Sequence, residues 1–240
     1  MNLSEQELAI QTAALNFAKS NKKPIAKRLT NKDIYLAEES PVSVFMAGSP
    51  GAGKTEASIE LLTALGQEEA VSVVRIDPDE LRSEFEQYDG QNSYLFQKGV
   101  SVLVEKVHDL VLKQKQSFLL DGTLSNLTKA QANIQRSLDK GRKVFILYVY
   151  QDPRLAWEFV RDREHTEGRR ILMTHFIEQY FEARKAVNCL KREFGKYIQV
   201  DLLLKDIDNS RRAYKANIDT IDNHVPEKYT PKILKQHLCN

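Results

Sequence analysis

Apolar runs punctuate the chain at intervals. Val42-Ser43-Val44-Phe45-Met46-Ala47, residues 71–76, residues 117–120, residues 143–150 and residues 197–204 each carry four to eight largely apolar positions. Runs of that length, rich in Val, Ile, Leu and aromatic residues, predict strands covered on both faces, as in a parallel sheet. Helical spacing fills the intervals. Residues 56–65 stop at Gly66, and residues 93–115 place Phe96, Val100, Leu103, Val107, Leu110 and Val111 on one face. Thr128 with Gln131 predicts a cap for a helix to Lys140, ended by Gly141; Asp152-Pro153 opens another over 154–163, and residues 171–194 a third. Ahead of the first strand, Ser4 with Glu7 forms a capping-box pattern for a helix over 4–20, and the basic stretch 21–32 reads as solvated helix and turn. Beyond Asp206 the chain turns polar, with Thr230-Pro231 capping a short terminal helix.

Strand and helix alternate, so right-handed crossovers give an α/β fold: a mostly parallel central sheet with helices on both faces and extra N-terminal helices. The expected organisation is one domain over 1–240, with 1–38 as an N-terminal helical extension and 206–240 as a C-terminal extension.

Composition narrows the partners. The 240 residues are 42% hydrophobic, enough for one substantial core, and 35 Lys and Arg against 33 Asp and Glu leave a formal charge of +2. No broad field for nucleic acid or an anionic membrane results, so neither is an expected partner. The N-terminus lacks a basic start followed by an apolar stretch, and no apolar run nears the roughly 18 to 20 residues of a membrane span, so the expected location is cytoplasmic. The two cysteines, Cys189 and Cys239, have neither metal-ligand spacing nor disulfide arithmetic, and the five histidines form no cluster in sequence.

The chemistry concentrates after the first strand. Gly48-Ser49-Pro50-Gly51-Ala52-Gly53-Lys54-Thr55 fits the phosphate-loop pattern between a strand and a helix. Its amides converge on an anion at a helix N-terminus, Lys54 reaches the β- and γ-phosphates, and the Thr55 hydroxyl can hold Mg²⁺. The expected cofactors are ATP or GTP with Mg²⁺. Asp77-Pro78-Asp79-Glu80 reads as a helix start, with Asp77 the cap, Pro78 the first helical position and Glu80 the capping-box acid. Asp79 is left over at the carboxyl end of a strand, where it is a candidate base for a hydroxyl that attacks the γ-phosphate. Asp121, after residues 117–120, fits a Walker B acid that supports magnesium, a weak pattern by itself. Residues 161–170 carry Arg161, Arg163, Arg169 and Arg170. Arginines clustered on a loop between two helices fit a lid over the transferring phosphoryl group.

Taken together, the phosphate loop, Ile76-Asp77-Pro78-Asp79-Glu80-Leu81-Arg82, Asp121-Gly122-Thr123-Leu124, and Arg163-Glu164 with Gly168-Arg169 resemble the zeta toxins of bacterial toxin–antitoxin systems over residues 41–204. The resemblance implies a three-layer P-loop kinase fold and a kinase that phosphorylates the amino-sugar 3′-hydroxyl of UDP-N-acetylglucosamine with ATP and Mg²⁺, depriving cell-wall synthesis of a precursor. It implies an antitoxin partner as well. Lys54 and Thr55 match the nucleotide and magnesium residues, Asp79 the base, and Asp121 and Thr123 the acid-Gly-Thr turn that holds the sugar, which favours substrate binding over Walker B for Asp121. Arg163 with Arg169 is the matching lid pair, with Arg170 and Arg161 as substitutes. Two departures stand out: well-known members carry Glu where this chain has Asp121, and the interval between lid arginines is shorter here. The alternatives are a P-loop kinase of another small molecule or a polynucleotide hydroxyl, and a nucleotide-dependent interaction module without kinase activity. An N-terminal helix that restrains the chain's own activity is a further alternative.

Overall fold

The computed structural model describes residues 3–69, 73–168, 170–205 and 212–239. Among these, seven α-helices flank one six-stranded sheet: α1 (Glu5–Leu29), β1 (Val42–Ala47), α2 (Lys54–Glu69), β2 (Val74–Ile76), α3 (Gln97–Lys113), β3 (Phe118–Leu120), α4 (Leu127–Leu138), β4 (Lys143–Tyr150), α5 (Pro153–Glu167), α6 (Met173–Phe194), β5 (Ile198–Lys205), β6 (Arg212–Lys215) and α7 (Pro231–Leu238). The sheet runs β2-β3-β1-β4-β5-β6, parallel except where β6 pairs antiparallel with β5. This is the mostly parallel α/β sheet that the strand-helix alternation predicts. The antiparallel β6 was not expected, because its four residues sit in a stretch that reads as polar.

Alternation along β1 divides the core in two. Phe45 and Ala47 join the larger cluster with Val100, Leu103 and Val107 of α3, Ala14 and Ala18 of α1, Ile134 of α4 and Leu190 of α6. Val44 and Met46 point the other way, against Ala57 of α2 with Leu119, Leu147 and Val149. Successive side chains of a strand face opposite sides of the sheet, so continuous apolar runs are what a sheet with two covered faces requires. A third cluster joins α5, α6 and α7 through Trp157, Phe176, Tyr180 and Leu234.

Several boundaries differ from expectation, each for a local reason. The capping box forms, with the Ser4 N–H donating to Glu7 Oε2 at 2.6 Å and the Glu7 N–H to Ser4 Oγ at 3.2 Å. The helix then continues through Pro24 and the basic stretch to Leu29, because Ile25 and Ala26 are buried. α2 passes through Gly66 to Glu69. Of the expected strand over 71–76, β2 occupies Val74–Ile76, and residues 71 and 72 lie outside the described residues. The helix expected from residue 93 begins as a short 3-10 turn, Ser93–Leu95, before α3. The cap of α4 is Asn126, whose Oδ1 accepts the Lys129 N–H at 3.0 Å, rather than Thr128. Asp152 caps α5 and Thr230 caps α7 as expected.

Candidate active site

Open α/β sheets bind ligands beyond the carboxyl ends of their strands. Here the phosphate loop follows β1, Asp77 follows β2, Asp121 follows β3, Gln151 follows β4 and Lys205 ends β5. All of them line one cleft of about 1780 Å³, which also takes in Lys54, Thr55, Asp79, Thr123, Arg163 and Arg170. Its lining extends to α3 and α4, with Gln97, Ser101 and Val104 of the first and Lys129 and Asn133 of the second, and Lys129 Nζ donates to Ser101 Oγ at 2.7 Å.

The loop packs hard against its surroundings. Gly51 has φ +71°, and a Cβ there would fall 2.1 Å from the Ala156 carbonyl oxygen of α5, so turn geometry and close approach both demand glycine. Lys54 Nζ donates to the Ser49 carbonyl oxygen at 2.6 Å. The Gly48 N–H donates to the Thr123 carbonyl oxygen at 3.2 Å, tying the phosphate loop to the acid-Gly-Thr turn, and the Thr123 hydroxyl meets Ser125 Oγ at 2.9 Å.

At the Asp-x-Asp junction, Asp77 Oδ1 accepts the Asp79 N–H at 2.7 Å and the Asp77 carbonyl accepts the Leu81 N–H at 3.1 Å. Asp77 thus braces the turn from two residues ahead, but the helix that follows is a 3-10 helix, Glu80–Glu84, whose N-cap is Asp79 rather than the expected Asp77, so Pro78 lies before its first helical position. Glu80 does not close a capping box, because it reaches sideways to Arg75. Asp79 is about one-third exposed, and the Arg82 guanidinium pairs with its Oδ1 while donating to Gln97 Oε1 at 3.1 Å. The guanidinium thus fixes the rotamer of the candidate base against α3.

A charge cluster that the sequence did not disclose joins these motifs. Arg75 of β2 donates from Nη2 to Asp77 Oδ2 at 2.5 Å and to Asp121 Oδ2 at 2.8 Å, from Nη1 to Glu80, and from Nε to Ser58 Oγ of α2 at 3.2 Å. Asp121 is 6% exposed and also accepts from Ser58 Oγ at 3.2 Å. One guanidinium therefore sets the spacing between the acids after β2 and β3 and the helix of the phosphate loop. Burial pushes the Asp77 carboxyl up to about 6, with the Asp79 charge reinforcing and Arg75 opposing that shift. The available sequence signal was a single arginine inside an apolar strand just before an acid pair.

The lid arginines divide. Arg161 and Arg163 lie within α5, before the loop on which they were expected; Arg163 is half-buried and faces the cleft, while Arg161 is exposed and does not line it. Arg170 lies on the connection to α6, lines the cleft and stands 3.6 Å from Glu164. Arg169 lies outside the described residues. Gly168, at φ +70°, ends α5 beside Gln91, so the lid connection rests on the loop that follows the Asp-x-Asp turn. Among the described residues, no helix is long and apolar enough to cross a membrane, and no group of three His, Cys, Asp or Glu could hold a metal by itself.

Comparison with known proteins bears on the family and the fold. A family model described as Zeta toxin matches residues 25–219. The solved structure of the PezAT chromosomal toxin-antitoxin system of the human pathogen Streptococcus pneumoniae is similar at TM-score 0.59 and 16% identity, covering 98% of this chain and 88% of that one. The AvrRxo1-ORF1:AvrRxo1-ORF2 structure with sulphate ions is similar at TM-score 0.62 and 16% identity, covering 93% and 72%. The AvrRxo1-ORF1:-ORF2 structure with ATP gives TM-score 0.57 and 16% identity, covering 89% and 67%. No curated protein sequence matches significantly. At that identity the structural likeness speaks for the fold, and the family model speaks for the lineage.

Proposed function

We propose, because the chain belongs to the zeta toxin family, that it is an ATP-dependent kinase acting on a hydroxyl of a UDP-linked amino sugar, with UDP-N-acetylglucosamine the leading acceptor and an antitoxin its partner. The observation that carries this reading is the single cleft in which the phosphate loop, Asp79 and the acid-Gly-Thr turn meet. A hydrolytic switch needs only a nucleotide and a water; this cleft of about 1780 Å³ reaches beyond the phosphate loop to side chains of α3 and α4, among them Gln97, Ser101 and Asn133.

In the proposed reaction Asp79 accepts the proton of the acceptor hydroxyl as its oxygen bonds to the γ-phosphorus. The bond from that phosphorus to the β–γ bridging oxygen breaks, and the electron pair leaves with ADP. Lys54 and the arginines Arg163 and Arg170, with Arg169 from outside the described residues, are assigned to the charge on the transferring group. Asp121 and Thr123 are assigned to the acceptor. For Asp121, whose Oδ2 is engaged by Arg75 and Ser58, the role is to present its remaining oxygen toward the cleft.

The donor set fits Mg²⁺. Thr55 supplies a hydroxyl in the first turn of α2, lining the same cleft. With no self-sufficient metal cluster among the described residues, Thr55 would hold the ion together with phosphate oxygens, the usual arrangement for magnesium. When bound, it would neutralise charge on the β- and γ-phosphates.

The test is ADP release from ATP and Mg²⁺ with a panel of UDP-sugars, followed by mass spectrometry of the products. The proposal expects acceptor-dependent ADP formation that drops by about 10² to 10⁴-fold in Asp79→Asn, the usual range for loss of a general base, while ATP still binds. Hydrolysis indifferent to every acceptor and unaffected by Asp79→Asn would sink it in favour of a nucleotide-dependent interaction module.

A further inference from the structure

Phe159 of α5 is 41% exposed and lines the cleft. Its helix neighbours Ala156, Trp157 and Val160 are buried in the cluster that α5 shares with α6 and α7, but Phe159 joins none of the three core clusters among the described residues. The polar side chains that α5 adds to the same lining are Asp162, Arg163, Glu164 and Thr166. A phenyl ring thus stands in an otherwise polar row, and the core does not hold it there.

Topology says which part of a ligand that ring would meet. The sheet order β2-β3-β1-β4-β5-β6 puts the phosphate loop at the end of β1, with Asp79 and Asp121 beyond β2 and β3 on one side and α5 starting from β4 on the other. Helix α5 then crosses the loop. A Cβ on Gly51 would lie 2.1 Å from the Ala156 carbonyl oxygen and 3.1 Å from Val160 Cγ2, and a Cβ on Gly168 would lie 3.2 Å from Gln91 Cγ, on the segment that follows Asp79. The first half of α5 therefore rests on the phosphate loop, and its end reaches the acceptor side. Phe159 and Arg163 are four residues apart on one face of the helix, with Phe159 about 6 Å nearer its start. In an in-line transfer the γ-phosphorus lies between the acceptor hydroxyl and the rest of the donor. The donor nucleoside accordingly lies away from Asp79, in the direction in which α5 runs back from Arg163 to Phe159.

The loop, Lys54 and the lid arginines answer to phosphate charge and do not read a base. A nucleobase offers a flat π-face, and an exposed aromatic ring stacks on it. We propose that Phe159 is the base-stacking residue of the donor site, taking the flat face of the purine of a nucleoside triphosphate. This rests on the nucleotide-binding reading above. Because every base has a π-face, the contact holds ATP and GTP alike and leaves the choice between them to other groups.

The experiment is calorimetric titration of ATP, GTP and inorganic tripolyphosphate, each with Mg²⁺, into the wild-type chain, Phe159→Ala, Phe159→Leu and Phe159→Tyr, with thermal melts taken without ligand. Ala removes the ring, Leu keeps apolar bulk without an aromatic face, and Tyr keeps the face. Phe159→Ala should weaken ATP and GTP by about 5- to 100-fold, the range of one base–aromatic stack; Phe159→Leu should weaken them at least about threefold, and Phe159→Tyr less than about twofold. Tripolyphosphate should bind all four chains alike, and all four should melt alike. Unchanged ATP affinity in Phe159→Ala, or wild-type affinity in Phe159→Leu, would overturn the proposal. So would equal losses of ATP and tripolyphosphate, which would mark damage to the loop beneath α5. A loss confined to a UDP-sugar titrated in parallel would put the ring on the acceptor side and overturn it as well. If the wild-type chain binds no nucleotide at all, the nucleotide reading itself falls and this inference with it.

Discussion

His108 makes a quantitative prediction about stability and pH. Its ring is 2% exposed on α3, with centroids 4.9 Å from Phe118 and 6.3 Å from Phe45. Nδ1 lies 3.4 Å from Arg136 Nη1, and the buried Nε2 has no hydrogen-bond partner. Burial first, then the charges of Arg136 and Arg142, pull the imidazole from its ordinary 6.5 down to about 3. The unfolded chain therefore binds a proton that the folded chain refuses between those two values, and stability falls as pH drops below 6.5. Between pH 7 and 5 the loss is about 2 kcal/mol.

Asp77 works in the opposite direction. Its folded value of about 6 lies above the ordinary 3.8, so the folded chain binds the extra proton and stability rises as pH falls through 6. Over the same interval this restores about 1 kcal/mol. The wild-type curve should thus be shallow, losing less than about 1 kcal/mol from these two groups. Urea unfolding across pH 5 to 7 separates them: His108→Leu should become more stable toward pH 5, and Asp77→Asn should lose stability more steeply than the wild type. Packing changes in either variant are independent of pH and leave the slopes intact. A His108→Leu curve parallel to the wild type would refute the reasoning.

Gly51→Ala should abolish measurable binding of an ATP analogue, because the new methyl meets the Ala156 carbonyl and the residue keeps a left-handed φ; a thermal melt should show a loss of about 1 to 3 kcal/mol. Arg75→Met should lower stability by about 3 to 5 kcal/mol in urea by leaving Asp77 and Asp121 without their shared cation, and adding Asp77→Asn should recover part of that loss. A double variant no better than Arg75→Met would show that the acids do not repel as the geometry requires.

The contrast between what the sequence disclosed and what it hid follows from the range of the forces involved. β1 and β4 match expectation residue for residue, since a strand buried on both faces must be apolar throughout. The phosphate loop, the Asp77 turn and the caps at Ser4, Asp152 and Thr230 are contacts across two or three residues, and local spacing encodes them. Residues 21–29 were read as a solvated helix-and-turn region from their lysines. Lys23, Lys27 and Arg28 are indeed exposed, but the stretch is continuous with α1 through Pro24 to Leu29, because Ile25 and Ala26 are buried, a tertiary gain that local charge does not reveal. β6 escaped because its four residues, Arg212-Ala213-Tyr214-Lys215 at the edge of the sheet, carry little hydrophobic signal.

The site divides along the same line. Asp77, Asp79 and Asp121 were legible as acids at strand ends. The cations that set their geometry were not: Arg75 and Arg82 carry no local signal that ties them to these acids. A carboxylate can be recognised by its motif, but a counter-charge acts through distance and burial, and residues 75, 121 and 205 become neighbours of the phosphate-loop helix only once the sheet has ordered β2, β3 and β5 around β1. Motif matching therefore assigns the acids roles one at a time. The folded chain joins three of them through one guanidinium, so changing Arg75 should shift the behaviour of Asp77, Glu80 and Asp121 together.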